Sequence, residues 1–347
     1  MCSFAVLLKK YDIPDAWLLP HCRLQFSRMA AAAAPLHWQE RVTTFLKDAD
    51  HPLLVIVGPT AGGKTAFSLD VARFLGGAEV INADSRQLYR GMDIGTAKIT
   101  REEMQGVPHH LLDVLNPDEE AAAGWYRQQA EDCIAQIQER GNVPILTGGS
   151  MLYISAVVDG LTMAPVADAS LRNRLTAEYD SDGGASLFAR LKVADPESAA
   201  QIHPNNKSRL VRAVEIVELT GTTKPTSQLY NGKKSEQKNS TNSRFDLLIL
   251  GVQPPRDLLY ERINQRAEQM LVHGWADEVR SLLKQGYTAD DPGMKSHGYR
   301  EIIRFLNEGE PASLKTLQER IASKTRKYAK GQMKWWKHDQ RIHWMQY

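Results

Sequence analysis

Eight consecutive residues carry the clearest chemical pattern in the sequence. They match the motif G-x-x-x-x-G-K-[ST] of a P-loop, and a short apolar run precedes them. The glycines of such a loop turn backbone N–H groups towards phosphate oxygens, the lysine reaches the terminal phosphates, and the last hydroxyl can bind Mg²⁺. The pattern therefore predicts a site for a phosphate or diphosphate group. The residues are Gly58, Pro59, Thr60, Ala61, Gly62, Gly63, Lys64 and Thr65.

The P-loop does not name the reaction. The motif is typical of nucleotide-binding and ATP-binding proteins, so a small-molecule or nucleoside kinase is the first interpretation and an NTPase the second. A Gly-rich turn that binds nothing is the structural alternative. We find no apolar run ending in Asp that would hold Mg²⁺ for phosphoryl transfer. On these residues alone, the alternatives stay open.

Asp84 is the second candidate. It follows a predicted strand, and ligands bind at the carboxyl ends of parallel strands. Aspartate is equally suited to cap a helix that begins at Ser85, so both interpretations stand. Metal ligation is not indicated elsewhere. The adjacent His109 and His110 have no third ligand nearby and are interpreted as structural, and three widely separated cysteines predict free thiols.

Strands and helices alternate around these residues. This alternation predicts an α/β fold, a P-loop NTPase-like core in which helices flank a parallel sheet. The predicted strands are Leu53–Val57, Glu79–Ala83, Val143–Thr147 and Phe245–Val252, and the predicted helices are Thr65–Phe74, Trp125–Arg140 and Asn206–Leu219.

The domain organisation follows from a change of pattern after Gly160. Residues 161–205 have helical periodicity without a strand and predict a small helical insertion domain. Residues 51–160 and 206–347 then form the core, with helices from Asp257 onward and a mobile polar loop at 222–244. Residues 1–50 are expected to be a poorly ordered extension, in which Met29 is a plausible alternative start.

Charge is distributed unevenly along the 347 residues. The net charge is +2, but the segment from Lys315 to the end has nine basic and two acidic residues, a net charge of +7. A basic tail on a mildly acidic body predicts a polyanionic partner. The composition, 42% hydrophobic and 24% charged, is that of a globular protein and excludes a disulfide-stapled miniprotein or a disordered chain. No run is long enough to span a membrane and no presequence is convincing, so we expect a cytoplasmic protein.

The P-loop and the segments that follow it resemble the tRNA dimethylallyltransferase family. The resemblance covers about 55–337, with Gly62 and Ser150 standing where the family usually has Ser and Thr. The further segments that carry it are Asn82–Tyr89, Gly91–Lys98, Pro108–Asp113, Gly148–Tyr153, His203–Asn206, Arg262–Arg266, Gly298–Arg300 and Arg326–Gln332.

The resemblance implies transfer of a dimethylallyl group from dimethylallyl diphosphate to N6 of adenosine-37 in tRNA. The P-loop would then hold the diphosphate leaving group, with Lys64 and with Mg²⁺ bound through Thr65. By resemblance, Asp84 is the base that takes the N6 proton. Arg262 and Arg266 lie one helical turn apart and could clamp the same diphosphate, the alternative being a solvated helix face.

The resemblance also implies tRNA contacts, with the target base flipped into a pocket. Free AMP as the acceptor, as in adenylate isopentenyltransferase, and a non-catalytic RNA-binding protein are the alternatives, and we expect a monomer. In the basic tail, Trp335 and Trp336 could pack on RNA or dock on the core. The implied tRNA-binding residues are Asp84, Ser85, Arg86, Gln87, Ser150, Arg172, Lys207, Ser208, Arg209, Leu210, Arg212, Lys295, Ser296, His297, Gly298, Tyr299 and Arg300.

Overall fold

The structure is a computed structural model that describes residues 37–160, 168–221, 244–308 and 313–345. The chain forms two compact units that divide after Asp48. In the first unit the described residues form helix α1, His37–Asp48. The expectation of a poorly ordered extension is therefore wrong for these twelve residues, whose apolar residues recur at helical spacing. The preceding residues of the extension lie outside the described part of the chain.

A six-stranded sheet forms the centre of the second unit. Its strand order is β3-β2-β4-β1-β5-β6, and every pairing is parallel. The central strand β1 is fully buried from Leu53 to Val57, because helices cover both faces of the sheet. The strands are β1 (Pro52–Val57), β2 (Ala78–Asn82), β3 (His109–His110), β4 (Val143–Thr147), β5 (Asp246–Val252) and β6 (Ile342–Met345).

Seven helices of the second unit belong to the core around this sheet. Their buried apolar side chains form one continuous cluster with those of the strands. These helices are α2 (Lys64–Leu75), α3 (Ala123–Glu139), α4 (Met151–Val158), α9 (Arg256–Val272), α10 (Trp275–Lys284), α11 (Tyr299–Asn307) and α12 (Leu314–Trp336). Trp336 is buried in the cluster and Trp335 packs against it, so the tail aromatics dock on the core.

Four further helices form a separate apolar cluster, which we call the helical unit. The predicted insertion, residues 161–205, covers its first three helices, whereas its last helix lies in the segment predicted as core. Leu210 and Val214 on this helix pack with Leu175 and Leu187 of the preceding helices. Amphipathic periodicity shows that a helix has a buried face but not which partner covers it. The helices are α5 (Ala169–Asp182), α6 (Ala185–Ala194), α7 (Pro196–Gln201) and α8 (Lys207–Thr220).

The four predicted strands are confirmed within one residue, and the α/β prediction holds. The expectation that the chain is helical throughout after Asp257 is wrong at β6, a four-residue strand that pairs with β5. The strand is only four residues long and His343 interrupts its apolar run, so its sequence carries little strand signal. The predicted loop at 222–244 lies outside the described residues, except for Arg244.

Candidate active site

The P-loop joins the carboxyl end of β1 to the start of α2, as the motif predicts. Gly63 adopts a left-handed conformation (φ 98°) at the N-cap of α2 and provides no side-chain cap. The first N–H groups of the helix therefore point into the loop without a capping side chain. Gly58 passes so close to the carbonyl of Val252 on β5 that a β-carbon would collide with it. The loop has the geometry of an anion-binding helix N-terminus.

Lys64 lies inside this loop. Its ammonium group donates a hydrogen bond to the carbonyl oxygen of Pro59 at 2.8 Å. Burial lowers the pKa of Lys64 to about 8; the negative charge of Asp84 opposes this shift and the positive charge of Arg266 adds to it. All three groups are thus close enough to interact. Thr65 is exposed at the start of α2.

Asp84 follows β2 in a tight turn. Its carboxylate accepts a hydrogen bond from the backbone N–H of Arg86 at 2.9 Å, and its own N–H donates to the side chain of Asn82 at 2.9 Å. Residues 85–88 form turns and no helix. The N-cap interpretation is therefore wrong, and the side chain stays at the end of its strand, where parallel sheets bind ligands.

The loop after β4, Gly148–Ser150, connects these two sites. In the sheet, β4 lies between β1 and β2, so this loop lies between the P-loop and Asp84. The hydroxyl of Ser150 accepts a hydrogen bond from the N–H of Ser85 at 2.8 Å, and the N–H of Ser150 donates to the carbonyl of Ala83 at 3.0 Å. Ser150 therefore has a direct contact with the Asp84 turn.

A cleft of about 160 Å³ opens beside the P-loop. Asp84 and Arg266 both line it, together with apolar side chains from α9, α10 and α12. The cleft therefore combines an anion site, a carboxylate and an apolar surface in one space. Its lining residues are Thr60, Ala61, Asp84, Ser85, Arg86, Gly95, Thr96, Ala97, Ile263, Arg266, Ala267, Met270, Trp275, Ser296, His297, Ile321, Thr325 and Tyr328.

Arg266 reaches this cleft from α9. Its side chain is exposed on the open side, but the surrounding protein and then the charge of Arg262 lower its pKa. Arg266 therefore lines the cleft from a helix face that is also exposed. Arg262 does not line the cleft, although its charge acts on Arg266, so the structure brings only one of the two predicted arginines into the site.

Glu278 on α10 fixes the wall at Gly95–Ala97. One carboxylate oxygen accepts hydrogen bonds from the N–H groups of Asp93 and Ile94 at 2.8 and 2.7 Å, and the other from Gly95 at 3.2 Å. The hydroxyl of Tyr299 also donates to Glu278, at 2.5 Å. Sequence analysis missed this residue because nothing local marks it, and its backbone partners lie 183 to 185 residues away.

The predicted tRNA-binding residues near the cleft fall into two groups. Ser85, Arg86 and His297 line it, whereas Gln87 donates hydrogen bonds to the carbonyls of Thr96 and Ala97, both at 3.1 Å. The segment 295–300 alternates. Lys295, His297 and Arg300 are exposed, while Ser296, Gly298 and Tyr299 are buried. Direct RNA contact by the Tyr299 side chain is therefore a wrong expectation, because that ring packs in the core.

In the helical unit, the predicted tRNA residues are also divided. Arg172 and Arg212 both pair with the fully buried carboxylate of Glu215, at 3.1 and 2.8 Å. Lys207 pairs with Asp180 at 2.6 Å, while Ser208 and Arg209 are exposed. The Leu210 expectation is wrong for its side chain, which is fully buried in the apolar cluster. A leucine at helical spacing signals core more strongly than RNA contact.

Among the described residues, no three His, Cys, Asp or Glu side chains form a metal-binding group. Both adjacent histidines contact protein instead. His110 contacts Glu79 at 2.6 Å and His109 the carbonyl of Val107 at 2.9 Å. No helix in the described part of the chain is long and apolar enough to cross a membrane.

The sequence model of the family described as IPP transferase matches residues 87–339. The chain belongs to the IPP transferase family. A similar relative, the tRNA dimethylallyltransferase of Symbiobacterium thermophilum, is 45% identical over 85% of this chain and 89% of its own. The tRNA dimethylallyltransferase of Geobacter sulfurreducens is 42% identical over 85% of this chain and 92% of its own.

Solved structures of IPP transferases agree with the fold. The full-length tRNA isopentenylpyrophosphate transferase of Bacillus halodurans is 38% identical, covers 86% of this chain and 90% of its own, and has a TM-score of 0.61. A eukaryotic dimethylallyltransferase captured acting on tRNA is 27% identical, covers 83% of this chain and 70% of its own, and has a TM-score of 0.68. The α/β architecture predicted from the sequence is therefore that of the family.

Proposed function

We propose that this IPP transferase moves the dimethylallyl group of dimethylallyl diphosphate to N6 of adenosine-37 in tRNA. The observation that carries the proposal is the cleft. It places an uncapped, lysine-bearing P-loop and the carboxylate of Asp84 around one space with an apolar wall. A diphosphate, a five-carbon group and a nucleophile need those three surfaces together. The relatives named tRNA dimethylallyltransferase support the same reaction.

Asp84 would act as the general base. The exocyclic amine of adenine is a poor nucleophile because its lone pair is delocalised into the ring. As N6 forms its bond to the first carbon of the prenyl group, Asp84 takes one N6 proton. The bond between that carbon and the diphosphate oxygen breaks, and its electron pair leaves with the diphosphate.

The P-loop would stabilise the departing diphosphate. Backbone N–H groups at the start of α2, the Lys64 ammonium group and the Arg266 guanidinium group surround the space where its negative charge develops. Mg²⁺ fits these residues, because it is commonly held by one or two protein oxygens together with substrate phosphates. The hydroxyl of the exposed Thr65 would hold it, and the ion would neutralise part of the diphosphate charge.

The tRNA would approach from the side of Arg86 and His297, which line the cleft and are accessible. A base inside a folded anticodon loop must leave its stack to reach the prenyl carbon, and the cleft can receive a flipped base. Because tRNA is the proposed partner, we propose a cytoplasmic enzyme, and we propose that it acts as a monomer, since one chain supplies every group named here.

The test is a transfer assay with unmodified tRNA, dimethylallyl diphosphate and Mg²⁺. Mass spectrometry of the digested nucleosides should detect an adenosine heavier by one dimethylallyl group, located at position 37. Reactions with ATP alone and with free AMP as the acceptor are the controls. ATP turnover without transfer would replace the proposal with phosphoryl chemistry, and modification of AMP but not of tRNA would change the acceptor.

A further inference from the structure

Gln332 on α12 is a fully buried polar side chain between two loops of the site. Its amide oxygen accepts a hydrogen bond from the backbone N–H of Thr60 in the P-loop at 2.8 Å. Its amide nitrogen donates to the carbonyl of Gly149 at 2.8 Å. One turn earlier, the hydroxyl of Tyr328 donates to the same carbonyl at 2.9 Å. One side chain therefore joins the loops that end β1 and β4.

The Gly149 loop in turn touches the Asp84 turn. Ser150 contacts both Ala83 and Ser85, the residues that flank Asp84. Gly149 also has no room for a side chain, because a β-carbon would lie 2.9 Å from the Gln332 amide nitrogen and 3.0 Å from a carboxylate oxygen of Asp84. Any shift of the Gly149 loop therefore moves the surroundings of that carboxylate. Gln332 therefore connects the P-loop to the Gly149 loop, and the contacts of Ser150 continue from that loop to the Asp84 turn.

Of an amide, an ionised carboxylate and an apolar side chain of the same length, only the amide satisfies both contacts of Gln332. A carboxylate can accept from Thr60 but cannot donate to Gly149, and an apolar side chain of the same length does neither. A buried backbone N–H or C=O group that loses its hydrogen-bond partner is destabilised. We therefore expect the loop that carries the group to shift until the group has a new partner. Transfer between two bound substrates depends on their separation, and a displacement of about 1 Å can cost about 100-fold in rate.

We propose that Gln332 is a positioning residue that sets the distance between the diphosphate site and the Asp84 base. This inference rests on the proposed function. Gln332 touches neither substrate in the proposed arrangement, since it is fully buried and does not line the cleft. It acts on the reaction by fixing the position of the P-loop relative to the Gly149 loop.

The first test is Gln332→Met, which keeps the length of the side chain and removes both hydrogen bonds. We expect kcat for prenyl transfer to fall about 10-fold to 100-fold. The KM for dimethylallyl diphosphate, the binding of inorganic diphosphate and the Kd for tRNA should change less than about threefold, because the residues that bind are retained. Gln138→Met is the matched control. It removes a 3.0 Å hydrogen bond to the carbonyl of Pro52, at the opposite end of β1, and should leave kcat unchanged.

The second variant is Gln332→Glu, followed as the ratio of its kcat to that of the wild type across pH. The ionised carboxyl cannot donate to Gly149, but the protonated form has both a donor and an acceptor. Burial favours that neutral form, so the ratio should rise as pH falls. A variant that is only structurally damaged would show a flat ratio. This measurement also serves if Gln332→Met does not fold.

Wild-type kcat in Gln332→Met, or a loss of kcat matched by an equal loss of diphosphate affinity, would overturn the inference while leaving the proposed function intact. A flat pH ratio for Gln332→Glu would overturn it as well. A wild-type chain that transfers no prenyl group to tRNA would overturn the proposed function and the inference with it.

Discussion

Lys64 in the P-loop and Arg266 in the cleft differ from Arg172 and Arg212 in the helical unit in how their charge is balanced. Among the described residues, Lys64 and Arg266 have no carboxylate within ion-pair distance, and Lys64 donates to a carbonyl instead. The two arginines of the helical unit share one buried carboxylate, Glu215. The same residue types therefore have opposite surroundings in the two regions.

This difference distinguishes cations that are available to bind an anionic ligand from cations that form ion pairs within the protein. A desolvated cation that has no carboxylate partner is stabilised by a bound anion, which is the physical basis of a diphosphate site. A buried carboxylate with two arginines is charge-balanced inside the protein. The P-loop motif marks Lys64 in the sequence, but only the structure distinguishes Arg266 from Arg172 and Arg212.

The largest effect is expected in the cleft, from Asp84→Asn. This variant keeps the size of the side chain and removes the base, so kcat for prenyl transfer should fall about 1,000-fold. The Kd for tRNA, measured by filter binding, should stay within about threefold of wild type. Unchanged turnover would show that another group takes the N6 proton.

Deprotonation of Lys64 should limit the activity of the enzyme at high pH. Its pKa of about 8 means that the ammonium form is present below that pH and is lost above it. The kcat/KM for dimethylallyl diphosphate should therefore decline above about pH 8, approaching tenfold per pH unit. Lys64→Arg keeps its charge at high pH and should remove this alkaline decline, even if its maximum is lower. The same decline in both proteins would assign the limit to another group.

In the helical unit, Glu215→Gln should affect stability instead of chemistry. Removing the charge shared by Arg172 and Arg212 should lower the free energy of unfolding by about 3 kcal/mol, measured by urea denaturation. The control is Glu218→Gln, which alters accessible pairs with Arg174 and Arg190 and should cost less than about 1 kcal/mol. In both variants the folded protein should keep kcat within about threefold; a large loss of kcat would connect the two regions.

The smallest effect is expected from Arg209, the exposed arginine at the start of α8. If it contacts the tRNA backbone, Arg209→Ala should weaken tRNA binding several-fold and reduce the salt dependence of log Kd by about one phosphate contact. Arg174→Ala removes an equal charge that is already paired with Glu218 at 2.5 Å, and should change Kd less. Equal effects would mean that only overall charge matters.

The candidate site residues that the sequence singles out are those with a local signal. The P-loop motif predicts Lys64 and Thr65, and the strand end predicts Asp84; the structure has the strands and the helix that these predictions require. The four main strands are short apolar runs, which a buried parallel sheet requires. These features depend on neighbours within about ten residues, so they can be recognised from the local sequence.

The features that the sequence did not predict depend on contacts with residues far away along the chain. Gln332 and Glu278 look like ordinary surface residues of basic or charged helices until folding brings their backbone partners to them. The position of α8 in the helical unit could not be predicted for the same reason, since its apolar face fits either core. Arg262 and Arg266 share one spacing, and only the position of α9 shows that Arg266 alone enters the cleft.

The bond from Gln332 to Thr60 spans 272 residues of chain, and this separation affects when the protein can become active during its synthesis. At about 5 to 20 residues per second, the P-loop leaves the ribosome roughly 15 to 50 seconds before the glutamine that holds it. Until α12 has been made and has docked, the N–H of Thr60 lacks its partner. During that time the growing chain has a P-loop whose position is not yet fixed by Gln332. A finished C-terminal helix is thus the last step in assembling a site whose first residues were made early.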